Sequence, residues 1–197
     1  MNLPNKLTIL RLCLVPVFLI VLLSGFPHHY LVSGLIFGIA AYTDHLDGKL
    51  ARSRGLITNF GKFMDPVADK VMVVSALVGF VSLGLCNIWL VLIIIAREFL
   101  ITSLRLVAAD NGVVLAANQW GKAKTVSQIV AIVAIFVLQY ILELMQLQIL
   151  PPLTFGGDIS SLFLLIGNLL LGIATFFTVL SGVIYLVQNK ELFSQTK

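Results

Sequence analysis

Charge is what this sequence has least of. Asp, Glu, Lys and Arg make up 11% of its 197 residues, against about 25% in an ordinary soluble domain. Hydrophobic residues make up 59%, and the mean hydropathy is +1.03. A chain so short of polar surface reads as an integral membrane protein rather than a soluble domain. Also missing are alternating ten-residue patterns, which excludes a membrane β-barrel and leaves an all-α reading. There is no internal repeat, low-complexity tract or soluble second domain, so residues 1–197 form a single unit. The basic, apolar N-terminus lacks a small-x-small cleavage site, which argues against a removable signal peptide. Cysteine is limited to Cys13 and Cys86.

What is present is a series of apolar runs, each long enough for a helix of roughly 20 residues. They predict six transmembrane spans at about 10–26, 30–52, 63–85, 88–109, 123–145 and 160–187. An N-terminal interfacial segment leads into the first. Segments 26–30, 85–88 and 146–160 contain no Lys or Arg, whereas twelve of the 13 basic residues fall towards the other side. The excess of positive loops on the cytoplasmic side places both termini inside, in the cytoplasmic (inner) membrane. The formal charge of +4 suits anionic headgroups and phosphates and requires no nucleic acid. In this topology Cys13 and Cys86 lie near opposite faces, too far apart for a disulfide, and read as buried apolar thiols.

Four of the nine acidic residues, Asp44, Asp47, Asp65 and Asp69, are concentrated in residues 44–69. Asp44 and Asp47 stand at i, i+3 and Asp65 and Asp69 at i, i+4, so each pair can share one helix face. Two helices joined by a short turn would bring the four carboxylates together. Crowded carboxylates repel unless a cation lies among them, and hard oxygen ligands select magnesium, manganese or calcium over zinc. The stretch therefore reads as a divalent-metal site. Gly55 and Gly61 flank Thr58 and Asn59 in the turn, and Pro66 is expected near the start of the third helix, where its missing N–H costs little.

Other polar positions admit two readings each. Asn5, Thr8 and Arg11 recur every three residues, a stripe that either caps and anchors the interfacial segment or faces substrate. His28 and His29 read as external surface residues, with no acidic partner or third ligand nearby in sequence, and His45 as facing a neighbouring helix. Gly34 and Gly38 form a small-xxx-small packing pair. Arg97 sits near mid-depth in the fourth span, where a charge needs a partner or a cavity, and Glu98 is a candidate partner. Arg105, eight residues on, is expected to line the same wide groove. Lys122 and Lys124 open the fifth span, where they either anchor the helix or attract an anion. The glycine-spaced sixth span reads as packing.

Written as a pattern, the central stretch is Asp44-x2-Asp47-Gly48-x2-Ala51-Arg52-x8-Gly61-x3-Asp65-x3-Asp69. It resembles the signature of the CDP-alcohol phosphatidyltransferases at every fixed position. The stretches NLPNKLTILR, AREFLITSLRL and GKAKT resemble the bacterial phosphatidylglycerophosphate synthases within that family. The resemblance implies transfer of the phosphatidyl group of CDP-diacylglycerol to glycerol 3-phosphate, giving phosphatidylglycerophosphate and CMP. It also implies two divalent cations, Mg2+ or Mn2+, ligated by Asp44, Asp47, Asp65 and Asp69, with Asp69 taking the proton from the attacking hydroxyl. Gly48, Ala51, Arg52, Thr58 and Gly61 would border the CDP-diacylglycerol site, with Asn5 and Thr8 beside them. Arg97, Arg105, Lys122 and Lys124 would hold the acceptor phosphate, Arg105 and Lys124 foremost. A homodimer surrounded by membrane lipids is implied as well.

Three rival readings remain at this point. A sibling enzyme using serine, inositol phosphate or another alcohol would share the signature. A membrane prenyltransferase also holds magnesium diphosphate, but the short separation of the aspartate pairs and the Gly, Ala and Arg between them argue against it. A cation transporter would carry its acids near mid-membrane on broken helices, whereas these lie towards one face.

Overall fold

A computed structural model describes residues 3–54, 59–110, 119–153 and 157–188. Within these, the side chains of residues 3–7, 44–67, 69, 109 and 110 lie outside the description. The described residues form six helices: α1 (Leu3–Leu23), α2 (His29–Arg54), α3 (Asn59–Ser82), α4 (Ile88–Asp110), α5 (Gln119–Gln146) and α6 (Ile159–Gln188). Among the described residues there is no strand. The all-α expectation holds, and the helix centres coincide with the apolar runs. By length and composition, α5 and α6 are apolar enough to cross a membrane, and α1, α2 and α3 carry shorter apolar stretches at Thr8–Leu23, His29–Thr43 and Lys70–Ser82.

Local chemistry explains where the helices stop. After α3, Gly84 adopts φ +71° while Leu85 N donates to Phe80 O (2.8 Å) and Gly84 N to Val81 O (3.0 Å). This is a Schellman closure, with glycine in the left-handed position that a Cβ disfavours. Gln148 takes that position after α5 at φ 58°, with Ile149 N bonded to Leu144 O and Gln148 N to Met145 O. Asn87 caps α4 by accepting from Trp89 N at 2.9 Å. Asp158 caps α6, its carboxylate accepting from the backbone N–H groups of Ser160 and Ser161 and from both hydroxyls. Asp158 is fully exposed, and these hydrogen bonds hold its carboxyl well below the ordinary 3.8, at about 2.

The helices pack around an aromatic centre. Phe136 of α5 meets Phe80 of α3 edge-on, with ring centroids 4.9 Å apart, and Phe18 of α1 at 6.1 Å. Phe37, Leu22, Ile94 and Leu171 complete a core drawn from all six helices. Gly79 lets α1 approach α3: a Cβ there would lie 2.6 Å from Leu22 Cδ2. Outward faces stay apolar, with Ile20, Trp89 and Phe176 among many exposed large side chains. Such a surface suits lipid rather than water.

Several expectations are corrected. Helix α1 is continuous from Leu3, so the N-terminal segment is its opening turns rather than a separate element. Helix α3 begins at Asn59, which puts Pro66 beyond its first turn. Gly34 packs against Phe136 (a Cβ would lie 3.5 Å away), but Gly38 has no neighbour within 4 Å. His29 is not a lone surface residue: its Nδ1 lies 3.1 Å from Glu143 Oε1, which also accepts from its backbone N–H. His28 meets the Tyr140 hydroxyl at 3.3 Å. The acidic partner is 114 residues away in the chain, beyond the reach of local pattern. Cys13 and Cys86 are both free, and only Cys86 is buried.

Candidate active site

At the end of the bundle opposite the His29–Glu143 contact, a cavity of about 280 Å³ opens between α1, α2, α3, α4 and α5. Its volume is near the small end of the range for ligand pockets. Ala40 and Ala41 of α2 and Met72 and Val73 of α3 supply apolar wall, and Arg11, Lys70, Glu98 and Lys124 supply charge. Ala40 and Ala41 precede Asp44 by one helical turn, and Met72 and Val73 follow Asp69 by one turn. The signature aspartates therefore belong to the helix turns adjoining the cavity walls.

Glu98 organises the charged wall. Its Oε2 accepts from Lys70 Nζ at 2.9 Å, and its Oε1 accepts from Lys124 Nζ and lies 3.5 Å from an Arg97 guanidinium nitrogen. Glu98, Lys124 and Arg11 are all buried, between 4% and 7% exposed. Arg97 reaches away from the cavity to α6, donating to Ser181 Oγ at 2.9 Å. Gly182 makes room for it, since a Cβ there would stand 3.3 Å from Arg97 Cγ.

Comparison with known proteins now bears on this site. The sequence profile described as CDP-alcohol phosphatidyltransferase matches residues 1–180. The chain belongs to the CDP-alcohol phosphatidyltransferase family. It is 40% identical to the CDP-diacylglycerol–glycerol-3-phosphate 3-phosphatidyltransferase of Bacillus subtilis (strain 168), over 96% of each chain. It is 33% identical to the Rickettsia bellii (strain RML369-C) protein of the same name, over 98% of this chain and 97% of the other. It is 47% identical to a probable phosphatidylglycerophosphate synthase of Mycobacterium tuberculosis (strain ATCC 25618 / H37Rv), over 70% of this chain and 66% of the other.

In this phosphatidyltransferase the residues expected to act fall into separate groups. Asp44, Asp47, Gly48, Ala51 and Arg52 belong to α2 and Gly61, Asp65 and Asp69 to α3. Their side chains, and that of Asn5 in α1, lie outside the described residues, as does Thr58 altogether. Thr8 is buried, as is the cavity-lining Arg11 one turn on, so these two members of the α1 stripe turn inward. Of the four acceptor candidates, only Lys124 is on the described cavity wall. Arg97 shares Glu98 but points to α6, and Lys122 is exposed. Arg105 is exposed too, its guanidinium 5.5 Å from the centre of the Tyr185 ring. Arg97 and Arg105 both meet α6, at Ser181 and one turn on at Tyr185, so they lie along the same α4–α6 seam rather than on the cavity wall. Sequence reasoning missed Lys70 as a wall residue, having counted it only as a positive-inside anchor, whereas Arg11 takes the inward-facing alternative of its two readings. The signal available for Lys70 was its place directly after Asp69.

Proposed function

We propose that this chain transfers the phosphatidyl group of CDP-diacylglycerol to the hydroxyl of glycerol 3-phosphate, releasing CMP and forming phosphatidylglycerophosphate. The observation that carries this reading is a cationic cavity whose α2 and α3 walls adjoin the turns bearing the family signature. The nearly full-length similarity to proteins named for this reaction supports it.

The donor set fits a pair of divalent cations: Asp44, Asp47, Asp65 and Asp69 offer only hard carboxylate oxygens, which suit Mg2+ or Mn2+. When bound, such cations neutralise the diphosphate and the charge growing on the leaving CMP. The chain supplies the rest. Asp69 accepts the proton of the attacking hydroxyl, a weak base that acts as that hydroxyl becomes polarised. Gly48, Ala51 and Gly61 allow the nucleotide close to the backbone, Arg52 pairs with a phosphate oxygen, and Thr58, Asn5 and Thr8 add polar contacts to the donor. Lys124 leads the acceptor side, with Arg97, Arg105 and Lys122 adding positive charge further out.

We place all six helices in the inner membrane, with the signature and both termini at the cytoplasmic face and the active form a homodimer. The charge distribution of the loops supports that orientation, and the exposed apolar faces leave area for a second copy. The test is an assay of purified protein with CDP-diacylglycerol, Mg2+ or Mn2+ and a panel of alcohols, with the lipid product identified. Phosphatidylglycerophosphate formed only with glycerol 3-phosphate is the expected result. A product from serine or inositol phosphate instead would make the chain a sibling transferase, and metal-dependent ion flux without CMP release would make it a transporter.

A further inference from the structure

Besides the charged cavity, the described residues form a smaller hollow of about 150 Å³ between α2 and α5. Gly34 and Leu35 of α2 and Val133 and Val137 of α5 line it, and Tyr30 and Tyr140 stand at its far end. Leu35, Val133 and Val137 are each about half exposed on the outside of the bundle. The hollow is therefore an apolar groove open along its side to lipid.

Groove and cavity follow one seam. On α2 the cavity is lined by Phe37 and Ala41, and the groove begins a turn away at Gly34 and Leu35. On α5 Ile129 of the cavity is followed one turn later by Val133 of the groove. The rings of Phe37 and Phe136, one from each lining, have their centroids 6.0 Å apart. Gly38 lies between the two hollows on α2, and a Cβ there would meet nothing within 4 Å, so no side chain from another helix blocks the way. From Ala41 to Tyr30 the seam runs about 16 Å along α2. That is close to the hydrocarbon depth of one leaflet, half of a core roughly 30 Å thick. The far end is held in place: the Tyr140 hydroxyl lies 3.3 Å from His28 Nδ1, and the Tyr30 ring centroid is 4.0 Å from that of His29.

We propose that the α2–α5 seam seats one acyl chain of the lipid donor, and that Tyr30 and Tyr140 limit how much of that chain it accepts. The proposal rests on the reading of the cavity as the site of transfer from CDP-diacylglycerol. A diacyl lipid whose diphosphate is bound at the signature turns has to lead its chains out through apolar wall, and this seam starts at the cavity and ends after one chain's depth. Surrounding lipid is as apolar as the groove, so burial alone gives no selectivity. The groove selects by fit, and a bulky side chain in its path excludes a chain that reaches that far.

The test has two arms. In the first, wild type in phosphatidylcholine liposomes is irradiated with CDP-diacylglycerol bearing a diazirine midway along its chains, and the adducts are located by peptide mass spectrometry. Adducts on Leu35, Val133 or Val137 that disappear when unlabelled CDP-diacylglycerol is added in large excess are the expected result. No adduct on the seam, or seam adducts that survive the competitor, would overturn the proposal. In the second arm, Leu35→Trp and Val137→Trp fill the groove from its two walls, and Leu92→Trp on the exposed face of α4 is the control. The ratio of kcat/KM for the dioctanoyl donor to that for the dioleoyl donor should rise about fivefold or more in both groove variants and stay within about twofold of wild type in the control. An unchanged ratio in a groove variant that elutes as a folded, monodisperse species, or an equal rise in the control, would overturn the proposal. Photolabelling requires neither turnover nor a substitution. Competed seam adducts in a wild type that forms no phosphatidylglycerophosphate would sink the functional reading and leave the groove standing, whereas an active wild type without them would sink the groove alone.

Discussion

Asp65 and Asp69 occupy consecutive turns of α3, and Asp69 immediately precedes Lys70 of the charged wall. If the four aspartates act as one cation-binding set, removing one charge is not offset by the other three. Asp65→Asn or Asp69→Asn should lower CMP release by about 10³-fold or more while the protein still elutes as a folded species. Turnover within tenfold of wild type in either variant would remove these residues from the site. The acceptor cations can be ranked in the same way. Lys124 is buried on the cavity wall, whereas Arg105 is exposed against the Tyr185 ring. Lys124→Ala should therefore raise the apparent KM for glycerol 3-phosphate more than Arg105→Ala does, and the reverse order in steady-state kinetics would move the acceptor out towards α6. The aspartate pattern, and with it the family, was legible in the sequence because the pattern is local. The charged wall was legible only in part, since Lys70, Glu98 and Lys124 come from three helices and their meeting is a product of packing. Adjacency made Glu98 a candidate partner for Arg97, but it could not show that the same carboxylate also meets both lysines.

At the scale of elements, every helix could be read from its apolar run, and the errors lie at the ends. A membrane-length run looks the same to hydropathy whether its flanking turns are helical or not. Thus α1 extends back to Leu3 and α3 to Asn59, into polar sequence. Capping chemistry marks the true boundary where it is present, and Asp158 of α6 is the clearest case. Its carboxylate accepts from the backbone N–H and hydroxyl groups of Ser160 and Ser161, and its pKa is lowered from 3.8 to about 2. A lowered folded-state pKa means that the ionised cap contributes stability in full above pH 3.8 and loses it as pH falls through about 2. Asp158→Ala should melt below wild type in detergent at pH 6, and the gap should narrow as the pH drops from 4 towards 2. Asp158→Asn, which can cap without charge, should lose less stability than the alanine variant. A gap that stays constant down to pH 2 would show that the carboxylate's ionisation contributes nothing to α6.

For the molecule as a whole, the decisive asymmetry is between its two ends. One end carries the Lys70–Glu98–Lys124 wall, with the signature turns beside it. The other carries the His29–Glu143 contact and the turn held by Asn87 N donating to Asn168 Oδ1 at 2.8 Å. The proposed reaction, with its nucleotide-linked headgroup and cytoplasmic phosphate ester, would have the first end face inward, the orientation that the basic loops favour. The orientation can be tested without reference to activity. In a background with Cys13 and Cys86 replaced by Ala, single cysteines are introduced as Asn87→Cys and Lys122→Cys, both at exposed positions. A membrane-impermeant maleimide added to intact cells stripped of any outer barrier should label Asn87→Cys at once and Lys122→Cys only after permeabilisation. The opposite pattern would turn the aspartates and the cationic cavity outward, away from any cytoplasmic supply of acceptor. In that case the cavity could still bind an anion, but the proposed transfer would lose its substrates, because neither the nucleotide headgroup nor the phosphate ester crosses a bilayer unaided.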